Sequence, residues 1–284
     1  MTAFPVLGTV LDDEVVGRTY AIDGVVVDPV AAEAYAAVAG DDPARYGTSS
    51  THPCFVINPA MKVLEELLAD PALGVRREDM LHAQSDMVFA HAIAPGEVVD
   101  LRAVILDAGE YGARQAYVIE TTVHDRSGRL LVALETILAF ASPIPGAAGR
   151  PPVFAPPPLR ANKPPVIEVE RLLDADLPRR YAAASGDHNP IHLDDAAARA
   201  AGLPGVILHG MSTMAIGATL AVDGLCGGDP GRLRRMRVRF SKPTAPGCRV
   251  TYRFHATDTP RLFAVTAHAD GRAIWKQSVV ELSN

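Results

Sequence analysis

Asp187 and His192 stand five positions apart in the stretch Tyr181-Ala-Ala-Ala-Ser-Gly-Asp-His-Asn-Pro-Ile-His192, a carboxylate and an imidazole with Asn189 and Pro190 between them. Pro190 disfavours the α conformation at Asn189, so a helix carrying Tyr181 must stop there and the chain must turn. Across that turn the two side chains can converge. Imidazole titrates near neutral pH and a neighbouring carboxylate can share or orient the same water, so the pair suits activation of one water molecule. The same residues also spell an ordinary Asx turn, in which Asp187 or Asn189 bonds its own backbone, and His192 alone could be a packed or surface histidine. Both readings stand on this stretch by itself.

A second signal lies downstream, where Gly205-Val-Ile-Leu-His-Gly-Met-Ser-Thr213 is an apolar run leading through His209 and Gly210 into a helix. Amides at a helix start are unpaired and point outward, which makes them a site for negative charge. Gly210 has no side chain to hinder approach, so its N–H could receive the oxygen of an enolate formed from a thioester. His209 reads as a helix-entry residue that bonds backbone, and no catalytic role is assigned to it.

The elements that must hold these groups form two similar halves. Tyr35-Ala-Ala-Val-Ala-Gly-Asp41-Asp-Pro43 aligns with Tyr181-Ala-Ala-Ala-Ser-Gly-Asp187-His-Asn-Pro190, and Ala94-Pro-Gly96 recurs as Ala245-Pro-Gly247. Between them, residues 142–166 contain nine of the 23 prolines, so they read as a linker running over the surface. The expected division is a degenerate half over 1–141, the linker, and a catalytic half over 167–284. Asp28-Pro29 opens a helix ending near Gly40. A second helix covers Ala60–Leu68, and strands follow at Met87–Ala92, Val98–Asp107, Ala116–His124 and Leu130–Ala141. In the second half a helix runs from Gly210 towards Val222, and Leu233, Met236, Val238 and Phe240 begin the strands. From Arg235 to Phe240 arginine and apolar residues alternate, as one solvated and one buried sheet face requires. A long helix against antiparallel strands, twice over, is an α+β architecture.

Composition narrows the partners. At 284 residues, 48% hydrophobic and 21% charged, the chain has globular composition and room for two cores. No apolar run approaches the roughly 18 residues of a membrane span, Met1–Pro5 does not open a secretory signal, and Glu281–Asn284 is not a peroxisomal address. A cytoplasmic enzyme is expected. Cys54, Cys226 and Cys248 lack the spacing of a zinc site or a disulfide framework. A net charge of −6 disfavours nucleic acid, so an anionic ligand must be met locally, for which Arg232–Lys242 is the basic segment.

The stretch YAAASGDHNPIHLDDAAARAAG resembles the signature of the MaoC-like hydratases, also called hydratase 2, and GVILHGMSTM resembles the segment that follows it there. Tyr181, Gly186, Asp187, Asn189, Pro190 and His192 at fixed spacing carry the likeness, and the two-halved layout resembles the double-hotdog members. The resemblance implies two hotdog repeats, each an antiparallel sheet wrapped round a central helix. It implies reversible addition of water to trans-2-enoyl thioesters of coenzyme A, or of acyl carrier protein, giving (R)-3-hydroxyacyl products. It places the catalytic pair on Asp187 and His192, a supporting asparagine on Asn189 and the oxyanion amide on Gly210, with no metal or redox cofactor and a homodimeric assembly.

The first half departs from this pattern. Asp41 remains, but Tyr46 stands where His192 would, and Arg45 and Gly47 do not restore the geometry, so one catalytic site per chain is expected. Phe55, Met61 and Leu64 either border an acyl tunnel or are core residues. The basic segment either contacts coenzyme A phosphates, with Arg239 and Lys242 favoured, or is the solvated face of a strand. Trp275, the only tryptophan, is expected in the core. Two other functions stay open: a dehydratase running the reaction backwards on carrier-protein thioesters, and a thioester-binding subunit without turnover, against which the intact Asp187, Asn189 and His192 argue.

Overall fold

Asp28 accepts hydrogen bonds from the amides of Val30 and Ala31 and so caps the first helix, whose proline at the first position needs no donor partner. The computed structural model in which this is seen describes residues 15–153, 159 and 161–283; the amino-terminal stretch inspected for a secretory signal lies outside them. The first half runs β1 (Thr19–Val26), α1 (Pro29–Val38), α2 (Ile57–Ala69), β2 (Met80–Phe89), β3 (Val98–Tyr111), β4 (Arg114–Asp125) and β5 (Leu130–Phe140). The second runs β6 (Pro165–Leu172), α3 (Leu177–Ser185), α4 (Asp195–Ala200), α5 (Gly210–Gly224), β7 (Leu233–Phe240), β8 (Arg249–Ala256), β9 (Leu262–Ala269) and β10 (Arg272–Leu282).

The ten strands of the described residues join one antiparallel sheet in the order β1-β3-β4-β5-β2-β7-β10-β9-β8-β6. Read inward from either edge, the order is the same, which makes the molecule two copies of one α+β unit joined at β2 and β7. At that seam Met87 pairs with Met236 and Ser85 with Val238. The repeat also meets at α1 and α3, where Tyr35 and Tyr181, 146 positions apart, bring their hydroxyls to 3.1 Å in the buried interior. Helix α5 is buried along nearly its whole length. Its Gly217 lies so close to Trp275 that a Cβ would sit 2.4 Å from the indole, and the indole N–H donates to Thr213 Oγ1 at 3.0 Å. Trp275 is therefore a core residue.

Several expectations are corrected. Helix α2 begins at Ile57 rather than Ala60, because Pro59 falls in the first turn, where amides lack helical partners anyway. Strand β2 begins at Met80, and β1 and β6 were not foreseen. The arginines of β7 do not face solvent freely: Arg237 is buried, and Arg235 Nε donates to Asp86 Oδ1 at 2.8 Å. The proline-rich segment is more than a surface linker, since Ile144, Ala147 and Val153 are buried and the Val153 amide donates to the Glu110 carbonyl at 3.0 Å. Its end, from Pro165, already belongs to β6. Among the described residues, no helix is long and apolar enough to cross a membrane.

Candidate active site

Helix α3 ends on Gly186, whose φ of +81° is the left-handed cap that turns the chain. The next residues are wired by the turn the sequence spells. The Asn189 amide donates to Asp187 Oδ1 at 3.1 Å, and Asn189 Oδ1 accepts from the Ile191 amide at 3.3 Å, capping the short 3-10 turn Pro190–His192. The Asx turn and the convergence of side chains are thus one arrangement. His192 is fixed from its far side, its Nδ1 lying 3.0 Å from the Ile207 carbonyl. A carbonyl only accepts, so Nδ1 carries the proton and Nε2 is left with a lone pair.

His209 immobilises the same loop. Its Nε2 donates to the Asp187 carbonyl at 3.0 Å, and its ring stacks on His192 with centroids 3.8 Å apart. It bonds backbone as the sequence indicated, but the backbone is that of the residue expected to activate water. One ligand-type atom from each of Asp187, His192 and His209 lies within 4.8 Å of the others. That spacing lets one water, hydrogen-bonded at about 2.8 Å to each side, bridge Asp187 and His192. His209 Nε2 is committed to a carbonyl, and its Nδ1 is shielded from solvent with no hydrogen-bond partner among the described residues.

Burial governs the electrostatics. It holds His209 down to about 3 and His192 below its ordinary value, the nearby Asp187 and the Ile207 carbonyl only partly offsetting this for His192. Burial pushes Asp187 up, but His209, His192, the Asn189 amide and Arg77 outweigh it, so the carboxyl lies below its usual range. At neutral pH the centre therefore holds a carboxylate and a neutral imidazole, both proton acceptors.

The centre opens into a cavity of about 330 Å³. Gly210 heads α5 on its wall, and a Cβ there would lie 3.0 Å from the Phe240 ring, which would have to shift by a few tenths of an ångström to admit it. Met61, Leu64, Met80 and Leu138 form an apolar wall from the first half, joined there by His82. Burial lowers His82 to about 4, and its Nε2 is shielded from solvent without a hydrogen-bond partner among the described residues. The seam thus puts His82 opposite the Asp187 loop, although more than a hundred positions separate them in sequence.

Not every expected residue arrives. Asp187, Asn189, His192, Gly210, Met61, Leu64 and Lys242 line the cavity, whereas Phe55 does not: it is fully buried, edge-on to Tyr35 at 5.5 Å. Arg239 also misses it. Phe240 takes the inner face of β7, so Arg239 points outward, its Nε donating to Tyr111 at 3.1 Å and its Nη1 to Gln277 at 2.6 Å. Alternation along the strand accounts for this, since Arg239 and Phe240 take opposite faces of β7, and Tyr111, which Arg239 contacts, itself lines the cavity. Lys242 also borders a second, more polar cavity of about 610 Å³ together with Arg199 and Arg272. His82 and Arg77 were missed because neither lies in a local motif.

A ten-stranded sheet built from two similar halves, with Asp187 and His192 of the second half on a cavity walled by the first, is the double-hotdog architecture. Residues 158–272 match the MaoC like domain family. The 3-hydroxyacyl-thioester dehydratase X of Mycobacterium tuberculosis is 31% identical over 236 residues, covering 81% of this chain and 78% of its own. The probable enoyl-CoA hydratase 2 of Dictyostelium discoideum is 23% identical over 79% of this chain and 77% of its own. Among solved structures, a MaoC-like dehydratase from Phytophthora capsici superposes with a TM-score of 0.82 at 19% identity, over 96% of this chain and 97% of that one. The chain spans about half (48%) of the Drosophila melanogaster peroxisomal multifunctional enzyme type 2, with a TM-score of 0.76 over 93% of this chain at 21% identity. The chain belongs to the MaoC-like family.

Proposed function

We propose that this protein is a hydro-lyase that reversibly adds water to trans-2-enoyl thioesters, giving (R)-3-hydroxyacyl thioesters. The observation that carries the reading is the meeting of the Asp187 carboxylate, the His192 Nε2 lone pair and the first amide of α5 in one cavity. Water held between Asp187 and His192 attacks C3. The C3–O bond forms as a proton passes from the water to the pair, and the alkene electrons move onto the thioester oxygen. The Gly210 N–H, with no acceptor inside the helix, meets that charge. The pair then returns a proton to C2 as the carbonyl re-forms, so one water is added in total. Asn189 holds the turn, and no metal or redox cofactor takes part.

The apolar wall of Met61 and Leu64 suits an acyl chain. The adjoining cavity brings Lys242, Arg199 and Arg272 together with Asp195 and Asp270, and Arg199 already pairs with Asp195 at 2.9 Å, which leaves Lys242 and Arg272 to meet the phosphates of coenzyme A. This favours coenzyme A thioesters; the same centre run in reverse is the dehydratase reading, with acyl carrier protein as the alternative carrier. A cytoplasmic homodimer completes the proposal. The test is a panel of enoyl-CoA and enoyl-pantetheine substrates followed by loss of the conjugated thioester absorbance, with chiral analysis of the product. Hydration to the (R) isomer is expected; predominantly (S) product, or no turnover of any member, would refute the assignment.

A further inference from the structure

The half that lacks the Asp–Asn–Pro–His motif still reaches the reaction centre through Arg77, on the 3-10 turn Arg77–Asp79 that leads into β2. Arg77 Nη2 lies 3.6 Å from Asp187 Oδ1. Both Nε and Nη2 are shielded from solvent and have no hydrogen-bond acceptor among the described residues, so at this distance the link to Asp187 is one of charge. Nη1 is 3.3 Å from Glu65 Oε1 on α2, the helix that supplies Met61 and Leu64 to the cavity. The Arg77 carbonyl also accepts Asn189 Nδ2 at 3.2 Å. One residue of the first half thus holds the catalytic turn by its backbone and faces the carboxylate with its side chain.

The other titratable groups around Asp187 are Tyr181 on α3, His188 and His192 in its own loop, His209 at the head of α5 and His82 on β2. Burial keeps His82, His192 and His209 below the ordinary imidazole value and Tyr181 far above the ordinary phenol value, so these four are neutral near pH 7. The exposed His188 side chain belongs to the loop surface. Arg77 brings the guanidinium to this set.

We propose that Arg77 is a positioning residue that holds Asp187 ionised and aimed at the water, supplied by the half that carries no catalytic motif. The inference rests on the reading of Asp187 as a water-activating group. An arginine within about 4–6 Å typically lowers a carboxyl pKa by about 1–3 units. Removing it raises the proton affinity of Asp187, and of His192 beside it, so the inactive protonated form persists to higher pH.

The experiment is the pH dependence of kcat/KM for enoyl-CoA hydration in the parent, Arg77→Gln, Arg77→Lys, Arg76→Gln and Asp187→Asn. In Arg77→Gln the acid limb should move up by about one pH unit. Arg77→Lys, which keeps the charge, should return it to within about 0.3 unit of the parent. Arg76→Gln removes a charge from the same segment, but Arg76 is two-thirds exposed and pairs with Glu78, so its limb should stay in place. An unmoved limb in folded Arg77→Gln, or an equal shift in Arg76→Gln, would overturn the inference while leaving the role of Asp187 intact. If the glutamine variant does not fold, the lysine variant decides: a limb at the parent's pH supports the proposal and one a full unit higher overturns it. Full activity in Asp187→Asn would instead remove the reading on which the proposal stands.

Discussion

Replacing Asp41 by Asn should damage the fold and spare the chemistry, the reverse of the same change at Asp187. The two aspartates occupy matching places in the repeat, but their surroundings have diverged. The Asp41 carboxylate accepts Tyr46 Oη at 2.6 Å and its own neighbour's amide, Asp42 N, at 2.8 Å, and pairs with Arg45 at 2.9 Å, with only 1% of its side chain exposed. These three donors engage the carboxylate within its own turn. Asn offers one acceptor where three donors converge, and its NH₂ opposes either the tyrosine hydroxyl or the guanidinium. Hydrogen bonds to a charged group are worth about 1.5–3 kcal/mol each, and partial replacement by Asn gives a loss of about 2–3 kcal/mol. For a chain of this size that is a Tm lower by roughly 4–10 °C. Thermal unfolding measured alongside kcat separates the effects: Asp41→Asn should keep kcat within about threefold, while Asp187→Asn should lose about 10²- to 10⁴-fold with little change in Tm. A folded Asp41→Asn as inactive as Asp187→Asn would refute the assignment of one site to the second half.

Because burial depresses His192 and the groups around Asp187 lower its carboxyl, the base forms persist below the ordinary imidazole pKa of about 6.5. The kcat/KM profile for hydration should therefore be flat through that pH and fall only at lower pH, and a limb centred above it would contradict the electrostatics. Lys242→Glu or Arg272→Glu should each raise KM for enoyl-CoA by roughly three- to tenfold, about 1 kcal/mol, and leave enoyl-pantetheine unaffected; equal effects on both substrates would remove the second cavity from coenzyme A binding. Exhaustive chelation should leave turnover unchanged, and activity lost to chelator and restored by zinc would turn Asp187, His192 and His209 into a metal site.

The turn at Asp187 was legible because its chemistry is local: Gly186, Asn189 and Pro190 fix the backbone wherever they occur together, and His192 follows within the same turn. The repeat was legible from Tyr35 and Tyr181, which meet at the centre of the molecule. Long-range pairing was not. The seam between β2 and β7 places polar Gln84 and Asp86 against Arg239 and Arg237, which breaks the alternation that would have extended β2 back to Met80. With that segment unread, His82 and Arg77 had no visible reason to approach residues a hundred positions later. Phe55 stayed between two readings for a different reason: a core side chain and a cavity-lining one share the same apolar character, and only packing against Tyr35 tells them apart. Edge strands β1 and β6 pair on one side only, so their patterns mix buried and exposed residues without a clean period.

The central claim is that Asp187 and His192 act on one and the same water, and a double-mutant cycle on the hydration step measures it most directly. Asp187→Asn and His192→Ala should each lower kcat by about 10²- to 10⁴-fold, and the double variant should fall no more than about tenfold below the weaker single one, since a water deprived of one holder has already lost its activation. Losses that simply multiply in the double variant, or either single variant retaining near-parental turnover with its fold intact, would contradict the account.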